Sequence, residues 1–215
     1  MSACRSLTLA LIALLLAAGM GDPALAHAIE GKDAAFVAET KGAAILPFMY
    51  LGAKHMVTGY DHLLFLVGVI FFLFRFRDIA LYVTLFSVGH SITLLFGALT
   101  GIGINAYLVD AVIGLSVVYK AFENLGGFRT LFGIQPDTRV AVLVFGLIHG
   151  FGLASKLQAL RLHPDGLVTN LLSFNIGVEI GQAIALSFIL LLMLLWRRSR
   201  SFTTHAAAAN GLIMA

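Results

Sequence analysis

Of the 215 residues, 60% are hydrophobic and 12% are charged; 14 Lys and Arg against 11 Asp and Glu leave a net charge of +3, and the mean hydropathy is +0.96. A soluble protein carries about 25% charged residues, so the chain cannot face water on all sides, which excludes a soluble enzyme or a disordered tail. The small basic excess forms no Lys/Arg run able to track a phosphate backbone, so nucleic acid is excluded as a partner and the lipid bilayer is expected.

The first segment, residues 1–26, has the form of a secretory signal peptide. Arg5 begins it, Leu7–Ala18 is a short apolar stretch, Asp22-Pro23 breaks the helix, and Ala24-Leu25-Ala26 fits a cleavage site. About a dozen apolar residues fall short of the roughly 20 that cross a bilayer. Cleavage after Ala26 removes Cys4, the only cysteine, and leaves His27 at the exported end. Metal is then held by nitrogen and oxygen alone. Residues 27–54 are expected to be exported or interfacial, 55–200 a transmembrane bundle, and 201–215 a disordered cytoplasmic tail.

Five apolar segments follow, at Val57–Phe74, Ile79–Thr100, Ala106–Leu125, Val140–Leu160 and Leu167–Trp196. With the N-terminus outside, the first, third and fifth run inward. Arg75 and Arg77, then Arg129 and Arg139, then Arg197, Arg198 and Arg200 all fall in the inner connections, as the positive-inside rule requires. Lys156 and Arg161 weakly oppose it. Trp196 is expected as an inner interface anchor, with Tyr50, Tyr60 and Tyr107 in an outer belt. Gly177 and Gly181 read as a helix-contact stripe. The expected fold is an all-α polytopic bundle in a bacterial-type inner (plasma) membrane.

An ionisable residue in hydrocarbon costs at least roughly 2.5 kcal/mol at the centre of a span, so the exceptions matter. They are Asp61, His62, His90, Asp110, Glu123, His149 and Glu179, with Asn124, Asn175 and Gln182 beside them. Counted at about 1.5 Å per residue from the segment ends, His90, His149 and Glu179 fall near the middle and Asp61-His62 in the outer half. Asn175, Glu179 and Gln182, at i, i+4 and i+7, share a helix face. His55 joins Asp61-His62 in the string His-x5-Asp-His. On an unbroken helix His55 and His62 stand about 10 Å apart, too far for one ion; Gly59 permits a break that folds His55 back. Imidazole with carboxylate suits nickel, cobalt, zinc, manganese or ferrous iron better than Cu(I). Plainer roles compete: a membrane His can simply bond a neighbouring helix, Asp110 can start a helix near the outer surface, and Glu123-Asn124 can cap a helix or pair with Arg129 or Lys120. Lys120 is expected to snorkel. His163 and His205 are loop and tail residues, and His27 can chelate through its amine and ring or merely follow a cleavage site.

The strings His55-Met-Val-Thr-Gly-Tyr-Asp61-His62, Ser87-Val-Gly-His90-Ser-Ile-Thr, Ala121-Phe-Glu123-Asn124, Gly146-Leu-Ile-His149-Gly and Phe174-Asn175-Ile-Gly-Val-Glu179-Ile-Gly-Gln182, in that order, resemble the HupE/UreJ family of hydrogenase- and urease-associated membrane proteins. The resemblance implies a secondary permease for nickel or cobalt that supplies metalloenzyme maturation proteins. It implies metal capture by His55, Asp61 and His62, with His90, His149 and Glu179 as inner ligands. Exit past Glu123-Asn124 completes a path along which Asn175, Gln182 and His27 are secondary polar groups. No phosphate-binding loop is present, so an ion gradient, membrane potential or partner is the expected energy source. The rivals are an intramembrane metal- or haem-binding oxidoreductase and an accessory subunit that delivers metal without transporting it.

Overall fold

Each apolar run stops at a residue that stops helices. Arg75 is extended before the second run, and Gly101 adopts φ +72° after it. The Asn105 side chain accepts from the N–H groups of Tyr107 and Leu108 to cap the third. The computed structural model describes residues 31–159, 163–198 and 201–214, of which 84% are helical and none is in a strand. The expected signal peptide, with Cys4, and His27 lie outside the described residues. The helices are α1 Gly31–Glu39, α2 Ile45–Thr58, α3 Tyr60–Ile70, α4 Phe76–Thr100, α5 Ala106–Asn124, α6 Gly127–Phe132, α7 Thr138–Ala159, α8 Leu167–Arg197 and α9 Ser201–Met214. By length and composition α4, α7 and α8 can each cross a bilayer. The protein is an all-α membrane helix bundle.

The first expected segment differs. Instead of one helix over Val57–Phe74, the chain forms α2 and α3, separated by Gly59 in an extended conformation (φ −74°, ψ 93°). The break keeps its backbone satisfied: Gly59 N–H donates to the His55 carbonyl at 2.9 Å, and Leu63 N–H to the Gly59 carbonyl at 3.1 Å. Interrupted helices survive at membrane depth only when buried in protein in this way. At the far end of α3, Arg197 donates to the carbonyls of Ile70, Phe71 and Leu73. A guanidinium on orphan C-terminal carbonyls caps the helix and suits its dipole.

Two close pairs of parallel helices frame the bundle. In the first, Gly177 and Gly181 of α8 bring their backbones against the Met49 and Ala53 carbonyls of α2, so the anticipated stripe is a real contact. Asn170 locks the start of this pair, accepting from Ala44 N–H at 2.7 Å and donating to the Gly42 carbonyl at 2.9 Å. In the second pair, Gly146 and Gly150 of α7 meet the Phe86 and His90 carbonyls of α4. Thr93 Oγ1 donates across it to the Leu147 carbonyl at 2.6 Å. Small residues allow such approach, and in lipid close packing is what holds helices together.

Three expectations are corrected at the arginine-bearing end, where α3 and α8 finish and α4 and α7 begin. The tail from Ser201 is helical, because Phe202, Ala206, Ala209 and Ile213 form one apolar face and bury it against the bundle. Trp196 is not an interface anchor; it is 1% exposed, its ring 5.0 Å from Phe202 and 5.8 Å from Phe71. Lys120 does not snorkel but is buried against Gly68. Tyr50, Tyr60 and Tyr107 are exposed, as a belt requires.

Candidate metal site

The parallel register of α4 and α7 decides where their histidines stand. Since Phe86 faces Gly146 and His90 faces Gly150, His90 and His149 lie at about the same height. The break at Gly59 adds the other two. It turns the last turn of α2, with His55, toward the first turn of α3, with Asp61 and His62. The His55 and His62 ring centroids are 5.1 Å apart instead of a helix-length spacing of about 10 Å. A Cβ on Gly59 would stand 2.8 Å from His62 Nδ1 and 3.0 Å from the His55 carbonyl oxygen, so glycine there lets the two turns fold back without displacing His62.

Four imidazoles therefore form one layer. The His62 ring is 4.9 Å from His149 and 6.0 Å from His90, and His55 is 6.5 Å from His90. His62, His90 and His149 are each 1% exposed and His55 is 7% exposed. One ring nitrogen from each of His55, His62 and His90 lies within 4.8 Å of the others, a grouping able to hold a metal ion. Nitrogens on a tetrahedral ion with bonds of about 2.0–2.1 Å stand roughly 3.4 Å apart, so a small contraction closes the set. Two hydrogen bonds orient the layer. His149 Nδ1–H donates to the Phe145 carbonyl at 2.7 Å, which makes Nε2 the lone-pair nitrogen. His62 Nδ1 meets Asp61 Oδ1 at 3.2 Å, the carboxylate–imidazole pairing that directs metal-binding histidines.

A second polar group lies at the arginine-bearing end. Glu123 accepts from Lys120 Nζ at 3.0 Å, from Gln135 Nε2 at 3.3 Å and from Thr138 Oγ1. Asn124 donates to the Gly68 carbonyl at 2.8 Å and to Asn210 Oδ1 at 2.9 Å. Of the pairings open to Glu123, the structure selects Lys120 and not Arg129. At the other end Lys156, which opposed the inside-positive pattern, is matched by Asp110 at 3.2 Å.

Of the six expected ligand residues, the structure gathers His55, Asp61, His62, His90 and His149 and leaves Glu179 out. Glu179 is on the exposed face of α8. At about 100° per residue, Gln182 is turned 20° from Asn175 to one side and Glu179 40° to the other. Gln182 thus stays inside, accepting from Ser87 Oγ at 3.0 Å and donating to the Val83 carbonyl at 3.3 Å, while Glu179 reaches the outer stripe. Asn175 is buried, and neither atom of its side-chain amide has a hydrogen-bond partner among the described residues. His163, which accepts from Asp165 N–H, and the exposed His205 stand outside the layer. Asn170 and Thr93, which fasten the two helix pairs, carry no sign in the sequence apart from being polar within an apolar run.

A family model described as "HupE / UreJ protein" matches residues 31–215, nearly the whole chain. Neither the curated proteins nor the solved structures compared with the chain contain a match.

Proposed function

The chain belongs to the HupE/UreJ family, and on that premise we propose that it is a secondary permease for a divalent transition-metal ion, nickel or cobalt, rather than an enzyme. Residues 1–26 are a cleaved signal peptide, and the N-terminus of the mature chain is exported across the inner membrane. The ion sheds water beside Asp61 and is held by His55, His62, His90 and His149. It leaves past Glu123 and Asn124 toward the arginine-bearing side, where metalloenzyme maturation proteins receive it.

The chief support is the gathering of four buried imidazoles at a break between two helices. Broken helices offer ions the ends of their dipoles, and here His55 occupies the negative end of α2. A set of neutral nitrogens, with one carboxylate near at hand, lowers a divalent ion's desolvation cost without trapping it by excess charge. Protons compete with metal for the same lone pairs, which supplies a means of release.

Flux of Ni2+ and Co2+ into sealed vesicles containing only this protein tests the proposal. Wild-type chain is expected to admit one or both, and His62→Ala to abolish accumulation while still inserting. Absence of flux with intact metal binding overturns transport in favour of a delivery subunit. Unchanged flux in His62→Ala overturns the site.

A further inference from the structure

Each of three histidines in the layer has a phenylalanine one turn away, always toward the same end. Phe65 follows His62 by three residues on α3, which runs toward the arginine-bearing end. Phe86 precedes His90 by four on α4, and Phe145 precedes His149 by four on α7, both helices running away from that end. The opposite helix directions cancel the opposite sequence offsets. All three rings are thus displaced about 4.5–6 Å to the arginine-bearing side of the imidazoles.

The rings touch. Phe65 is 5.3 Å from Phe86 and 5.7 Å from Phe145 between centroids. They also abut the layer: Phe86 is 5.0 Å and Phe65 5.8 Å from His149, and Phe86 is 6.1 Å from His62. Phe65 and Phe86 are fully buried, and beyond them Val69, Ile79, Val117 and Val142 continue the apolar core. Ser87 and Gln182, beside the rings, are neutral and bonded to each other, and Tyr119 packs its ring 5.2 Å from Phe145. A cation leaving the imidazoles toward Glu123 meets hydrocarbon first.

We propose that Phe65, Phe86 and Phe145 are an inner gate, closed in this structure, that separates the histidine layer from the Lys120–Glu123 compartment. It rests on the permease reading and adds the barrier that alternating access requires. Apolar constrictions gate by excluding water, and an unhydrated divalent ion has no compensating ligand among three phenyl rings. Rotation of Phe145, the one ring of the three that is only partly buried, is the smallest motion that opens the layer.

The test reads accessibility and does not need transport. In a Cys4→Ser background, His62→Cys reports on the layer, and a membrane-impermeant thiol reagent is added from the arginine-bearing face of oriented vesicles. Labelling is expected to be slow with the three rings intact and at least about ten-fold faster in Phe86→Ala/Phe145→Ala, where the dry constriction is lost. Phe86→Leu/Phe145→Leu, which keeps apolar bulk, should label as slowly as the parent. If the double alanine variant does not elute as a folded species, Phe65→Ala is read in the same way. Equal rates in the alanine and parent chains overturn the gate, whatever the flux. Accelerated labelling, where the chain with His62 intact carries no Ni2+ into vesicles, leaves the barrier standing and removes the permease.

Discussion

Two of the polar regions that the bundle buries differ in how their groups match. At the arginine-bearing end one carboxylate meets an ammonium, an amide and a hydroxyl, all donors, and a paired amide bridges α5 to α9. In the histidine layer, groups of one kind face one another, and His55, His62 and His90 each bring a ring nitrogen within 4.8 Å of the others. Complementary groups satisfy themselves and hold helices together. Like groups are best satisfied by a third party, and for nitrogen lone pairs that party is a cation. Burial alone does not mark a site in a membrane protein; lone pairs of one kind gathered within reach of a single ion do.

The largest expected effect breaks the complementary region. Glu123→Ala leaves the Lys120 charge buried and unmatched and is expected to cost about 3–5 kcal/mol of stability, measured by thermal or denaturant unfolding in detergent. Metal affinity of the folded fraction should not change. Lys120→Met/Glu123→Leu should recover most of the loss, since an apolar pair of similar volume replaces a buried ion pair at little cost. If the double variant is as unstable as Glu123→Ala, the pair has a role beyond matching.

The next perturbation acts on the layer without removing a ligand. Asp61→Asn weakens the acceptor that orients His62, and about ten-fold weaker Ni2+ binding is expected, with unfolding unchanged. Titration calorimetry reads this loss, and undiminished affinity in Asp61→Asn would remove the carboxylate from the site. Gly59→Ala should cost less, about five-fold, the low end of overpacking at about 1 kcal/mol, because its Cβ presses on His62 Nδ1 at 2.8 Å.

Much of this was legible from particular residues. Arginines, Gly101 and Asn105 mark helix limits because cations avoid hydrocarbon and caps need special backbone or side chains. The limits of α4, α5, α7 and α8 accordingly fall within three residues of those expected. His-x5-Asp-His with Gly59 inside announced the fold-back, since only a break brings those rings together. The helix α9 was hidden by its weak apolarity, although Phe202, Ala206, Ala209 and Ile213 have helical spacing. The parallel pairing of α2 with α8 and of α4 with α7 was not legible, because glycines show that backbones approach but not which ones. The aromatic layer was in plain view as Phe at +3, −4 and −4, yet its meaning depends on helix direction.

Glu179 gives the smallest expected effect and the strictest test of the distinction between exposed and gathered polar groups. Its helix has 31 residues, about 46 Å, against a hydrocarbon core of roughly 30 Å. Glu179 shares the height of the histidine layer: Gln182 bonds Ser87 beside the phenyl rings, and Glu179, three residues earlier on α8, stands about 4.5 Å farther from the arginine-bearing end. It differs in direction, for it lies on the exposed face of α8 while the imidazoles are buried. Glu179→Gln is therefore expected to change Ni2+ affinity and vesicle flux by less than about two-fold, the range of a substitution remote from the binding groups. Loss of flux with full binding would instead mean that α8 turns during transport, carrying Glu179 through the 40° that now separates it from the buried face. Loss of binding would return Glu179 to the ligand set and remove the contrast between the two regions.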